Sequence, residues 1–287
     1  MGQEIPQDTI ADHPGTAGRK GDWDAADQAG GGDLQEGREG ERGEGAADED
    51  DGGGMNTIDE NITMFINYYD NKFTEVTQLE NKHSLFRKVI YYAIIDGLSK
   101  PIYSSEKKHR ERMTSFIKDI VGWQNGGLFS LPHLYACLKM KNDICDNKLR
   151  EYVDNKYSKL IAGNLYIIKQ VDICLTELEN ITSQIETDKT STIYKTQHYN
   201  LFYNYRNALV HELHSLCANF TNFSKYDEPY YIHFRNDDCW SLYYPEEFLS
   251  KICKQSIEKT KEYLLKENID PFKDYTNGNY WIKELNI

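Results

Sequence analysis

Residues 58–73 read Ile-Asp-Glu-Asn-Ile-Thr-Met-Phe-Ile-Asn-Tyr-Tyr-Asp-Asn-Lys-Phe. Apolar side chains recur in this stretch every three or four residues, and Ile62, Phe65, Ile66 and Tyr69 fall on one face. That spacing is the period of an amphipathic α-helix, so residues 58–73 are predicted to form one.

The same period continues along most of the chain. It predicts further helices over residues 84–98, from 104–106 to about 120, from a first turn at Pro132 to about 140, from a cap at Asp146 to about 160, and over 165–185, 193–220 and 245–266. Residues 230–234 and 239–243 read instead as two short strands around a polar turn, which predicts a small β-hairpin near residues 230–243. The predicted fold class is all-α, a multi-helix bundle with one hairpin.

The first 54 residues have a different composition from the rest. They hold 15 acidic and four basic residues, and Trp23 is their only aromatic side chain. Such a segment buries too little apolar surface to offset the entropy of ordering, so we expect residues 1–54 to be a disordered acidic leader. Two interpretations stay open: a fusion segment or mis-assigned start before a native Met55, or an acidic interaction tail. Residues 55–287 are then expected to form one helical domain.

Composition also excludes several classes of protein. Residues 55–287 carry 31 acidic and 29 basic side chains, which argues against a general, charge-driven binder of nucleic acid. The apolar run at 89–95 is too short to span a bilayer. The six cysteines include no Cys-x-x-Cys, which indicates a reducing cytoplasm rather than a zinc finger or a disulfide framework. Neither a phosphate-binding loop nor a dinucleotide glycine pattern occurs, so no cofactor and no metal are predicted.

The stretch around Arg206 carries the candidate chemistry. On a helix, Phe202, Leu209 and the later residues Leu213, Leu216 and Phe220 define a core face. Asn207, His211 and His214 fall on nearly the opposite side, and Arg206 lies at the border. If this helix packs against a second copy across a two-fold axis, two such sets converge in one cleft. Imidazole can accept a proton near neutral pH and guanidinium can hold a phosphate, so this pattern suits phosphodiester chemistry.

Arg206-Asn207-x-x-x-His211 resembles the Arg-x(4–6)-His motif of the HEPN superfamily, in which a polar residue commonly follows the arginine. Many HEPN proteins are metal-independent endoribonucleases that act as dimers, often as toxins or in phage defence. The resemblance implies that His211 is the base for a ribose 2′-hydroxyl, Arg206 stabilises the phosphate and Asn207 assists. It also implies 2′,3′-cyclic phosphate products and an antitoxin or defence partner protein. Leu213 stands where one HEPN branch has a tyrosine, so regulation through that tyrosine is not expected.

Other residues are weaker candidates. Tyr203, Glu212 and His214 are candidate auxiliary residues on the same helix. A short basic run is a candidate binding surface for an RNA backbone, or else a solvated helix face; its members are Lys107, Lys108, Arg110 and Arg112. His211-Glu212-x-His214 is one residue short of the His-Glu-x-x-His zinc motif.

Three hypotheses follow from the sequence. The first is a HEPN-type endoribonuclease that acts as a cytoplasmic homodimer on RNA, in bacterial defence or toxin–antitoxin growth control. The second is a non-catalytic HEPN-like module that binds RNA or a protein partner. The third is a purely structural helical protein. Substitution of His211 discriminates the first two, because an enzyme needs the imidazole and a binding module does not.

Overall fold

The computed structural model describes residues 56–103, 107–140, 147–181, 192–212, 226–233 and 239–273. Residues 1–54 lie outside these ranges, so the predictions about the acidic leader stay predictions. The helices and strands are, in chain order, α1 (Ile58–Thr77), α2 (Ser84–Ser99), α3 (His109–Ser115) with a π-helical continuation (Phe116–Val121), α4 (Leu131–Met140), α5 (Asn147–Tyr157), β1 (Leu165–Ile167), α6 (Ile168–Val171), α7 (Leu175–Ile181), α8 (His198–Glu212), β2 (Tyr230–Ile232), β3 (Ser241–Tyr243) and α9 (Glu246–Glu267).

The first helix, α1, begins at a side-chain cap. The Thr57 backbone N–H donates to Glu60 Oε2 at 2.8 Å, and the Glu60 N–H donates to Thr57 Oγ1 at 3.3 Å. This reciprocal pair satisfies N–H groups that the start of a helix leaves without partners. The predicted apolar face is confirmed, because its members are all buried: Ile62, Phe65, Ile66 and Tyr69.

Most of the bundle is organised around α9, which packs against α1, α2 and the π-helical continuation of α3. α8 lies against α2 and α3. The larger core cluster fills the space between these helices and includes Tyr92, Ile95, Leu98, Phe116, Phe202, Leu209, Phe248 and Leu249. α1 and α2 approach closely at Gly97, where a Cβ atom would collide with the phenol of Tyr69.

A second apolar cluster lies among α4, α5 and α7. Its buried members are Phe129, Leu131, Leu134, Leu138, Leu149, Val153, Ile173, Leu178 and Ile193. Pro132 occupies the first turn of α4, as predicted, where its missing N–H costs no helical hydrogen bond. The predicted cap at Asp146 lies outside the described residues.

The predicted hairpin is confirmed, and it is part of a larger sheet than expected. β2 pairs antiparallel with β3, and Tyr231 lies opposite Leu242. On its other edge β2 pairs antiparallel with β1, with Leu165 opposite Ile232. The prediction of one helix over 165–185 is therefore wrong. Residues 165–167 have the apolar and aromatic character of a strand, and pairing with β2 outweighs the helical period of the surrounding sequence.

α8 begins later than its periodicity predicts. The helix starts at His198 rather than at Ile193, and a 3-10 turn (Tyr194–Thr196) precedes it. The Ser130 N–H donates to Thr196 O at 3.0 Å, and the His198 N–H donates to Leu128 O at 3.1 Å. Because the Thr196 carbonyl and the His198 N–H are hydrogen-bonded to residues 128–130, residues 193–197 do not join the helix. The predicted continuation from 213 to 220 lies outside the described residues.

Within the described ranges, no helix is both long enough and apolar enough to cross a membrane.

Candidate functional site

α8 is held firmly by its buried face. Phe202 and Leu209 are buried in the larger core, and the Phe202 ring lies 4.7 Å from the ring of Tyr92 on α2. The buried Lys88 on α2 connects α8 with β3. Its Nζ donates to Tyr243 Oη on β3 at 2.9 Å and to Tyr205 Oη on α8 at 3.4 Å. The opposite face of α8 is consequently fixed in place.

Arg206, Asn207 and His211 lie on the outer part of this helix. Arg206 and Asn207 are partly exposed, and His211 is exposed. Arg206 Nη1 donates to Asn207 Oδ1 at 3.1 Å. Side chains one residue apart on a helix do not normally face each other, so the arginine has to bend around the helix to make this bond. The guanidinium is thereby directed toward the polar face that carries His211.

The inner part of Arg206 borders the seam between α2 and α8. There the Tyr92 hydroxyl is completely buried and has no hydrogen-bond partner among the described residues. Burial raises the pKa of Tyr92 well above its usual value, nearby Tyr244 and Tyr205 raise it further, and the charge of Arg206 lowers it. The arginine is therefore near enough to act electrostatically on the core beneath it.

Tyr203 lies one turn before Arg206 and is linked through His109 on α3 to Asp96 on α2. Its hydroxyl is 3.1 Å from His109 Nδ1, and His109 Nε2 is 2.8 Å from Asp96 Oδ1. Asp96 also accepts from Arg112 Nη2 at 2.9 Å. Burial would raise the pKa of Asp96, but the bonds and charges of Arg112 and His109 outweigh it and leave the pKa lowered.

An ionised Asp96 determines the direction of these bonds. It can only accept, so His109 donates to it from Nε2, and Nδ1 is the ring nitrogen that is hydrogen-bonded to the Tyr203 hydroxyl. The chain Tyr203–His109–Asp96 joins α8, α3 and α2. Of these three residues the sequence predicts only Tyr203 as a site residue, since no local pattern signals a contact between residues 94 positions apart.

The basic run 107–112 is divided between two environments. Arg112 is turned inward: its side chain is 13% exposed, and it donates to Asp96 and, from Nε, to Ser99 Oγ at 3.1 Å. Arg110 is exposed and turned toward α8, where its Nη2 donates to Asn204 Oδ1 at 3.2 Å. Lys107 Nζ lies 4.3 Å from the Tyr103 ring centroid, and Lys108 is exposed. Among the Lys and Arg side chains of the run, Arg110 is thus the one that is hydrogen-bonded to α8 within the described residues.

A second polar network lies at the start of α8, and its central residues are buried. His198 Nε2 is 2.6 Å from Asp172 Oδ2, and the Tyr231 hydroxyl donates to Asp172. Ser130 Oγ lies 2.7 Å from Tyr231 Oη and 2.7 Å from His133 Nδ1. Asp172 and His198 side chains have no exposed surface, so a substrate has no access to them. We infer that this network has a structural role and connects the two core clusters.

The remaining candidates lie at the edge of the described residues. His214 and the side chain of Glu212 are outside them, which leaves the zinc-motif comparison without a geometry. Within the described ranges, no three His, Cys, Asp or Glu side chains are grouped so that they could hold a metal ion.

Comparisons with known proteins add no assignment. No family model, no curated protein and no solved structure matches the chain.

Proposed function

We propose that the chain is a metal-independent endoribonuclease of the HEPN type that acts as a homodimer. The observation that carries the proposal is the arrangement on α8, where Arg206 bends around the helix to Asn207, 3.1 Å away, on the face that carries exposed His211. An imidazole can act as the base and a cation can stabilise the phosphate in phosphodiester cleavage by an internal nucleophile, and the amide can orient the cation.

In the proposed reaction His211 removes the proton of a ribose 2′-hydroxyl. The 2′-oxygen bonds to the adjacent phosphorus, and the bond from phosphorus to the 5′-oxygen of the next nucleotide breaks. That 5′-oxygen takes a proton from solvent, which leaves a 2′,3′-cyclic phosphate and a 5′-hydroxyl. Arg206 binds the non-bridging phosphate oxygens and offsets their growing negative charge, while Asn207 orients the guanidinium.

The geometry of one helix favours a site shared by two copies. Arg206 and His211 are five residues apart on α8, which separates them by roughly 140° around the axis and about 7.5 Å along it. Within one copy the two side chains therefore leave the helix in different directions, and only the tip of Arg206 bends back toward the face that carries His211. Two antiparallel copies of α8 across a two-fold axis would place Arg206 of each copy opposite His211 of the other.

Mixing two inactive variants tests this shared site. Arg206→Ala and His211→Ala homodimers should each be inactive. When both chains are co-expressed, about half of the dimers pair one of each, and one of their two sites then has both side chains intact. Cleavage should return to about a quarter of the wild-type level. A mixture as inactive as its parents would contradict a site built from both copies.

One observation favours the alternative, a HEPN-like module that binds RNA or a protein partner without cutting. Within the described ranges no side chain or backbone group is hydrogen-bonded to the His211 ring, whereas a histidine that acts as a base is usually oriented by a third group. If the chain only binds, His211→Ala should leave its RNA affinity nearly unchanged, and the wild type should produce no cyclic phosphate.

The setting we propose is the cytoplasm, with a role in bacterial defence or toxin–antitoxin growth control and an antitoxin or defence protein as partner. Free thiols support a reducing compartment, since Cys174 and Cys253 form no disulfide in the described part of the chain.

A further inference from the structure

The place where α3 meets α8 presents hydrogen-bond donors to solvent. Arg110 and Asn204 are both exposed, and the Arg110 guanidinium lies 5.1 Å from the centroid of the Tyr203 ring. The bond to Asn204 Oδ1 engages one of the five N–H groups that a guanidinium carries. It also leaves the amide N–H₂ of Asn204 as the group available outward. These groups all donate, so the ligand they fit is an acceptor such as a phosphate.

This surface is supported from beneath. Tyr203 is partly buried, and it is bonded to His109, whose other nitrogen is bonded to Asp96. The His109 ring also packs edge-on against Tyr203, with centroids 5.5 Å apart. A platform fixed in this way loses little conformational entropy when a ligand binds. Because the guanidinium covers the ring, Tyr203 supports Arg110 and is not itself a stacking surface for a base.

This surface lies one helical turn from the proposed site on α8. Arg206 and Asn207 follow Tyr203 by three and four residues, which is one helical turn or about 5.4 Å. Asn204, Asn207 and His211 recur at i, i+3 and i+7, so they share the outer face of α8. A strand of RNA laid along this face would meet Arg110 and Asn204 one turn before it meets Arg206.

We infer that Arg110 and Asn204, supported by Tyr203, form a subsite for a phosphodiester group of single-stranded RNA next to the one that is cut. This inference rests on the proposed function, and it names a part of the substrate that the Arg206–His211 motif does not reach. The positioning residues are His109 and Asp96, which hold Tyr203.

RNA binding at several salt concentrations tests the subsite. The full chain carrying His211→Ala binds a fluorescent single-stranded RNA without cutting it. Adding Arg110→Ala should weaken binding and lower the slope of log Kd against log salt by about 0.7, the value for one phosphate contact on a single strand. Lys254→Ala, an exposed cation on α9, is the matched control and should leave the slope unchanged.

The outcomes separate the inference from the proposed function. If the His211→Ala chain binds RNA and Arg110→Ala leaves the slope unchanged, the subsite is refuted and the ribonuclease proposal stands. If the chain binds no RNA at any salt concentration, both are refuted. If Arg110→Ala and Asn204→Ala each weaken binding while melting temperatures stay constant, the subsite is supported and loss of folding is excluded.

Discussion

Replacement of Asp96 by alanine should destabilise the protein more than the loss of an ordinary surface charge. Asp96 accepts from Arg112 at 2.9 Å and from His109 at 2.8 Å, and its side chain is only 17% exposed. A hydrogen bond to a charged group contributes about 1.5–3 kcal/mol, and removal of one partner leaves the other desolvated. Since solvent reaches the edge of His109, we take the lower value for each bond and expect a loss of about 3 kcal/mol.

Urea denaturation measures this loss. With a slope of about 2–3 kcal/mol per M, the midpoint should fall by about 1 M while the slope stays the same. The matched control is Asp154→Ala, which removes the exposed pair between Lys139 Nζ and Asp154 Oδ2 at 3.3 Å. That pair is half solvated, so its loss should cost less than about 1 kcal/mol. A similarly small loss for Asp96→Ala would refute the reasoning, because Tyr203 would then not be held by a buried charge.

The pH dependence of stability at acid pH tests the role of Asp96 independently. The folded state lowers the pKa of Asp96 below its usual 3.8, so this carboxylate stabilises the fold above that pH. The stabilisation is lost as the pH falls through the lowered pKa. The difference in unfolding free energy between wild type and Asp96→Ala should therefore be constant near neutral pH and shrink below about pH 4. A difference that persists at lower pH would contradict an ionised Asp96.

Two further predictions concern the core. Burial, and then the charge of His198, lower the pKa of His133 from 6.5 to about 4, so the unfolded chain binds a proton there before the folded one does. The free energy of unfolding of the wild type should therefore fall by up to about 3 kcal/mol between pH 6.5 and pH 4, relative to that of His133→Gln. This value is an upper limit because the His133 ring is partly exposed. Unfolding free energies that change in parallel with pH in the two proteins would contradict the prediction. Gly97→Ala should cost about 1–3 kcal/mol in urea unfolding because its methyl group meets the Tyr69 phenol, and an unchanged midpoint would show that α1 and α2 can separate at no cost.

Sequence periodicity predicts elements well where one helix face alone determines burial. Ile62 and Phe65 on α1 lie in the core because their spacing matches a turn of helix, and nothing else competes for that face. Leu165 and Ile167 satisfy both a helical and a strand pattern over three residues. Only pairing with Tyr230–Ile232 decides between the two, and that pairing joins residues far apart in the chain.

The candidate site shows the same division. The helical period predicts the outward position of Asn207 and His211 and the border position of Arg206. The helical period does not predict whether Arg110 or Arg112 faces α8, because both are basic and lie two residues apart. The difference arises from Asp96, which binds Arg112 from α2 and leaves Arg110 beside Asn204.

The measurement that tests the central claim most directly is cleavage of RNA by the purified chain in excess EDTA. Wild type, Arg206→Ala, His211→Ala and the control Lys254→Ala are compared, with product ends identified chemically and folding checked by thermal melting. The account predicts 2′,3′-cyclic phosphate ends from wild type and Lys254→Ala, and loss of cleavage in the other two variants with melting unchanged. Cleavage that survives in His211→Ala, or that requires a metal ion, would contradict it.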